Sequence, residues 1–266
     1  HPDLAPNLVP GFNFIDRDGN DVLARVLPDE NSDLNFHDVA RSPNGNYFFL
    51  FANFDYKSAS VDNRIQEWDE KGRKLFNWRL DDHLPEIAAG RPKETFHINS
   101  IDLDKAGNIY VSVLQLSTVF KIAYPSGRIL ARISSADWKF VNDPLNGFLF
   151  QHSARPLRNG NLLVFDNGNG RKGRQSRAVE YSIDETTKTA KLVWEYSIPS
   201  DEHHYRGIGG AVQRLSNGNT VISWGTPLDR VPRKARIVTE VDPSGRLVRE
   251  MKGALFTFRV WFEETK

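Results

Sequence analysis

Four times along the chain a short polar turn opens into a run of apolar or β-branched residues. The turns are Pro43-Asn44-Gly45-Asn46, Ala106-Gly107-Asn108, Asn159-Gly160-Asn161 and Asn217-Gly218-Asn219. They lead into Tyr47-Phe48-Phe49-Leu50, Ile109-Tyr110-Val111, Leu162-Leu163-Val164 and Thr220-Val221-Ile222. Asn and Gly tolerate positive φ, so this pattern predicts a β-hairpin at each site. The turn glycines recur at intervals of 62, 53 and 58 residues. A second hairpin pattern falls inside each interval, as in Ile65–Trp68 with Lys74–Phe76 and Val119–Ile122 with Ile129–Leu130. Val179–Tyr181 with Leu192–Trp194 and Val238–Val241 with Leu247–Val248 repeat it. Two hairpins per period make four strands, the content of one propeller blade.

The ends carry half-repeats. Phe12–Asn20 has the second hairpin without a first, and Leu255–Phe262 is a strand without a second hairpin. Joined, they would form a composite blade that closes the ring and removes two open sheet edges. The expected fold is therefore all-β, a β-propeller of four-stranded blades forming a single domain over residues 1–266. Five blades are favoured, and a six-bladed ring is the rival. No segment predicts a helix of consequence.

Composition narrows the partners. The 266 residues include 35 Lys and Arg against 34 Asp and Glu, a formal charge of +1. That balance provides no bulk field for nucleic acid. No apolar run approaches the ~18–20 residues that a membrane span needs. The sequence starts at His1 with no initiator Met and no visible signal peptide, which reads as a processed or trimmed product. With no cysteine, disulfides, thiolate metal sites and cysteine nucleophiles are ruled out. A monomer acting on a small molecule is expected, without nucleic acid, membrane span or cofactor.

The innermost strand of a blade lines the central channel, so the residues just before each turn decide the chemistry. Seven positions before the turns stand His37, Asn99, His152 and Gly210, the last expected to leave an opening. His97 precedes Asn99 by two and shares its face by strand alternation. The composite blade would add Arg259. A lone inner-strand histidine can equally be a hydrogen-bonded filler; repetition in one register is what points to a site. Three imidazoles could hold a divalent metal, but no compact ligand motif accompanies them, and no metal is expected.

Two loops add candidates. Asp166–Arg177 holds four cations, one acid and three glycines directly after a strand, a composition suited to sulfate, phosphate or carboxylate. Arg171 stands nearest the strand end; Lys172 and Arg174 read as solvated loop cations. The loop Asp201–Gly210 offers His204, Tyr205 and Arg206 as a lid or proton donor over the channel mouth. Acidic turns such as Asp102–Gly107 read as side-chain-capped turns.

Several segments resemble the arylsulfotransferase family of propellers: Phe96-His97-Ile98-Asn99-Ser100, Phe150-Gln151-His152-Ser153-Ala154-Arg155, Phe165-Asp166-Asn167-Gly168 and Val212-Gln213-Arg214-Leu215. The resemblance covers roughly residues 35–250. It implies a channel in which a histidine carries a sulfuryl group between phenolic donor and acceptor, supported by further His and Arg. By position His97, His152 and Arg171 match the family's catalytic residues, and His37, Asn99, Arg155, His204, Tyr205, Arg206 and Arg259 are the expected substrate contacts. The family's sulfated histidine would fall in Val221–Asp229, which contains none. A ping-pong transfer therefore lacks its covalent carrier.

The expected function is a propeller enzyme acting on a small aromatic or anionic substrate, with His acid/base chemistry and Arg anion stabilisation. A non-catalytic propeller binding a sulfated or carboxylated sugar or metabolite is the alternative, as is a lyase, hydrolase or cyclase on the same scaffold. The resemblance and the lack of cysteine favour a periplasmic or secreted location.

Overall fold

A computed structural model describes residues 12–15, 21–26, 34–55, 60–83, 96–173, 175–198, 205–227 and 235–253. The chain divides into two compact units, residues 1–98 and 99–266. In the first, β1 (Phe12–Ile15) pairs antiparallel with β2 (Asp21–Val26). A four-stranded sheet follows, ordered β3 (Leu34–Arg41), β4 (Tyr47–Asp55), β5 (Ser60–Trp68) and β6 (Lys74–Arg79). One helical turn, α1 (Leu80–His83), follows β6, and residues 96–98 complete the described part of this unit. Leu255–Phe262, the proposed C-terminal contribution to a composite blade, lies outside the described residues.

The second unit repeats the four-strand plan. The first sheet runs β7 (Ile98–Leu103), β8 (Ile109–Val113), β9 (Thr118–Ile122), β10 (Ile129–Ile133). The second comprises β12 (His152–Pro156), β13 (Leu162–Asp166), β14 (Arg177–Asp184) and β15 (Thr189–Ser197), and a short β11 (Lys139–Val141) adds in parallel to β15. The third is β16 (Ala211–Arg214), β17 (Thr220–Ser223), β18 (Ala235–Val241) and β19 (Leu247–Gly253). The fold is all-β, and each predicted pair of hairpins forms one antiparallel four-strand set.

The repeated turns have one geometry because they have one chemistry. Gly45, Gly107, Gly160 and Gly218 all sit at positive φ, and each amide donates to the carbonyl three residues earlier at 3.0 Å. The asparagine after glycine then reaches a glutamate on the third strand of its own sheet. Asn46 Nδ2 donates to Glu67 at 2.8 Å, Asn161 to Glu180 at 2.6 Å and Asn219 to Glu240 at 2.7 Å. In the remaining repeat Asn108 instead donates to Asp104 at 2.9 Å. Asp104 also accepts the amides of Ala106 and Asn108, the side-chain-capped turn that the sequence predicts.

The strands after the turns in the second unit, β8, β13 and β17, are buried along their whole length and do not alternate, because they are covered on both faces. On β13, Leu162 and Val164 pack with Tyr110, Val119 and Phe148 on one side. Leu163 and Phe165 pack with Val212, Ile222 and Trp224 on the other. The segment 134–150 carries Trp138, Phe140 and Phe148 into the first of these clusters.

Neighbouring inner strands of the second unit are stitched by polar side chains in matching positions. Ser100 Oγ accepts the Ala154 amide at 3.0 Å, and one repeat later Ser153 Oγ accepts the Val212 amide at 3.1 Å. Gln151, fully buried, offers its carbonyl to Asn99 Nδ2 at 2.9 Å and to Ser112 Oγ at 3.1 Å. Asn99, expected at the substrate, is thus part of this stitching. No helix among the described residues is long and apolar enough to cross a membrane.

Candidate functional site

His152 opens β12, and the backbone around it is unusual. Phe150 and Ser153 both occupy the left-handed region, at φ 51° and 53°. The register of β12 on β13 shifts between His152 and Arg155. A bulge next to left-handed, non-glycine residues costs of order 1–3 kcal/mol per residue and re-aims the side chains it flanks. Here it delivers an imidazole that is only 3% exposed to the end of β13.

That imidazole is held in one tautomer. His152 Nδ1 lies 2.7 Å from Asn167 Oδ1. The Asn167 amide is itself fixed, since its Nδ2 donates to the carbonyls of Arg206 at 2.7 Å and Gly209 at 2.9 Å. With both donors committed to carbonyls, the face toward His152 is an acceptor. Nδ1 must carry the proton, and the lone pair is on Nε2. A neutral imidazole oriented in this way can take or relay a proton, or attack an electrophile, through Nε2. Asn167 was not singled out from the sequence. The signal was its place in Asp166-Asn167-Gly168 at the strand end, where flanking residues are committed elsewhere.

Asp166, one residue earlier, is fully buried and organises the cations. Its Oδ1 accepts the Leu149 amide at 3.0 Å; its Oδ2 is shared by Arg171 Nη1 at 2.9 Å and Arg177 Nε at 3.0 Å. Arg171 Nη2 donates to the Gly147 carbonyl at 2.9 Å. The expected anion clamp is therefore anchored to the 134–150 segment, with its charge shared into a network. Arg177, fully buried, also grips Asp143 through both Nη atoms at 3.0 and 2.9 Å and reaches Glu195 at 2.8 Å. Tyr181 donates its hydroxyl to Asp143 at 2.6 Å. Burial alone would raise the Asp143 carboxyl, but hydrogen bonds from Arg177 and Tyr181 outweigh it and hold it below the ordinary value. Gly168, at φ 71°, lets the Gln175 carbonyl and Arg171 approach where any Cβ would collide.

Of the loop expected over a channel, residues 205–210 are described, and their backbone is docked. Asn167, Asn169 and Ser176 bind the backbone of residues 206, 207 and 209, and Tyr205 and Arg206 are buried. Gly210 leaves no opening, because the Phe165 ring fills the space that its side chain would take. His204 and Arg259 lie outside the described residues. Arg155 donates through Nη1 to the Ile101 carbonyl at 2.8 Å and through Nε to Ser153 Oγ at 3.1 Å.

The first unit holds a second imidazole pair. His37 and His97 face each other Nε2 to Nε2 at 2.9 Å, with ring planes 79° apart. One nitrogen must donate and the other accept, so the pair stores one proton between its Nε2 atoms. Desolvation by burial lowers the pKa of His97 below the ordinary histidine value. Among the described residues no group of three or more His, Asp or Glu is placed to hold a metal ion.

The arylsulfotransferase (ASST) family model matches residues 13–256. The chain belongs to that family. The arylsulfate sulfotransferase AssT of Escherichia coli O6:H1 is 36% identical over 83 residues, 28% of this chain and 14% of the relative. The Lelliottia amnigena AssT is 33% identical over 82 residues, with the same coverage. The chain thus matches only about a seventh of the length of these family members. Among solved structures, a protein of unknown function from Bacteroides caccae superposes with a TM-score of 0.60 at 19% identity, covering 92% of this chain and 75% of the other. That likeness speaks to the fold alone.

Proposed function

We propose that this ASST-family chain is a propeller enzyme acting on a small aromatic or anionic substrate. The single observation carrying the reading is the buried His152 whose Nδ1 proton is pinned by Asn167. In this reading His152 Nε2 removes the proton from an attacking phenolic or alcoholic hydroxyl as the new bond to sulfur, or to another electrophile, forms. The leaving oxygen then recovers a proton from the imidazolium. Arg171 acts as the anion stabiliser, its guanidinium set by Asp166 and Gly147. The His97 imidazole of the first unit, hydrogen-bonded to His37, is a further acid/base candidate. The sequence repeats support a single domain with five blades closed by a composite blade, in preference to six. Substrate contacts from Tyr205, Arg206, His204 and Arg259 belong to the same proposal.

A second reading rests on Val221–Asp229, where the family's sulfated histidine would fall and no histidine stands. Without a covalent carrier there, the site would bind a sulfated or carboxylated ligand without turning it over.

The deciding experiment assays aryl sulfate donors with phenolic acceptors, alongside calorimetric binding of the same compounds. His152→Ala should lower turnover by about 10²–10⁴-fold in a chain that still folds, with a lowered thermal midpoint because a buried, hydrogen-bonded ring is removed. Full turnover in both His152→Ala and His97→Ala would end the histidine acid/base reading. Binding without turnover, weakened by Arg171→Ala, would establish the second.

A further inference from the structure

A cavity of about 670 Å³ opens at the turn end of the inner strands of the second unit, away from His152. Its polar layer comes from one repeat position. Asp102 on β7, Arg155 on β12 and Gln213 on β16 each stand three residues beyond Asn99, His152 and Gly210. Three residues of strand separate this layer from the His152 layer by roughly 10 Å. The turns that follow supply Leu157 and Arg158 on one side and Leu215 on the other.

The charges in this cavity do not cancel. Asp102 and Glu180 face three guanidinium groups, those of Arg155, Arg158 and Arg214. Glu180 is saturated, accepting from Asn161 at 2.6 Å and from Arg214 Nη2 at 2.6 Å. Asp102 accepts the Leu103 amide at 2.8 Å and stands 3.8 Å from Arg155 Nη1. The Arg214 guanidinium lies over the Trp194 ring, 5.1 Å from its centroid, and its buried Nε meets no acceptor among the described residues. Arg158 sits exposed on the turn, and no ion pair engages it among the described residues. One net positive charge thus lines a cavity whose wall also carries Asn159, Ser216, Pro156, Leu157 and Leu215. Such a surface is matched by an anionic headgroup on an apolar body, with the headgroup on guanidinium donors and the body against the leucines.

We propose that this cavity is a second binding site, for a small organic monoanion such as an aromatic carboxylate or sulfonate, separate from the His152 site. The Arg158 guanidinium discriminates by charge, and the leucines and proline discriminate by apolar area. A neutral analogue of the same shape gains only the second contribution.

The test titrates the full chain with benzoate and, separately, benzenesulfonate, following arginine Nε–H signals by NMR. Saturable shifts of the Arg214 Nε–H are expected, absent with benzyl alcohol. Arg158→Ala, on an exposed turn, should weaken binding about tenfold or more with unchanged thermal midpoint, and Leu215→Ala should weaken it less. His152→Ala should leave it unchanged. Binding insensitive to Arg158→Ala, or abolished by His152→Ala, would overturn the proposal, as would no saturation by either anion. Because the readout is not turnover, its failure leaves the enzyme reading standing, and failure of that reading leaves this one standing.

Discussion

His152 and Asn167 form a fixed pair, with the imidazole Nδ1 2.7 Å from an amide oxygen whose own nitrogen is bound to two carbonyls. The amide cannot turn over without leaving the Arg206 and Gly209 carbonyls unsatisfied in a buried place. The imidazole therefore inherits its tautomer from the backbone of a loop more than fifty residues further along the chain.

The first prediction follows from that inheritance. Two-bond ¹⁵N–¹H spectra of the wild-type histidine rings should show His152 protonated on Nδ1 and not on Nε2 at neutral pH. In Asn167→Ala the Nε2-protonated form should appear, and turnover should fall by roughly 10²-fold. A wild-type ring protonated on Nε2 would contradict the mechanism outright.

The Arg177 network gives the second. Arg177→Met leaves Asp143 and Asp166 buried with too few donors, and should cost about 3–5 kcal/mol in urea unfolding. Replacing Asp143 by Leu in the same chain should recover part of that loss.

Acid stability is the third. The folded-state pKa of Asp143 lies below its unfolded value of 3.8, so its contribution is complete above about pH 4. That contribution is lost as pH falls through the folded value. Asp143→Asn should start less stable at pH 7 and show a shallower loss of midpoint between about pH 4 and 2.

The imidazole pair of the first unit gives the fourth. Burial lowers the His97 pKa, so the unfolded chain takes up its proton first as pH falls below about 6.5. Stability should therefore decline from about pH 6.5 downward, and His97→Gln should flatten that decline in thermal scans. An unchanged slope would show that the pair carries no such linkage.

Gly210 gives the fifth. At φ 103°, with the Phe165 ring occupying its side-chain space, Gly210→Ala should destabilise by several kcal/mol. Phe165→Leu in the same chain should relieve the steric part but not the backbone part, measured by calorimetric midpoint.

Much of this architecture is readable in the amino-acid order because its signals are local. An Asn-Gly turn followed by Leu162-Leu163-Val164 specifies a hairpin whatever surrounds it, and repetition of that signal specifies repeated sheets. Register counting likewise brought out His37, His97 and His152, since strand position is a matter of counting. The Asn161–Glu180 contact, and its counterparts in two other repeats, was also within reach as a recurring separation of 19 to 21 residues.

Partnership was not within reach. That Arg171 is tied to Asp166 and Gly147, that Arg155 is turned onto the Ile101 carbonyl, and that Phe165 fills the place above Gly210 depend on segments meeting across long separations. Periodicity carries no information about such meetings. The sequence by itself determined the strands, their hairpins and which residue types reach the inner positions, because turn chemistry and side-chain alternation act over a few residues. Only the tertiary structure decided which of those groups are spent on one another and which nitrogen of His152 holds its proton, because hydrogen-bond saturation belongs to the packed interior and not to any one stretch of chain.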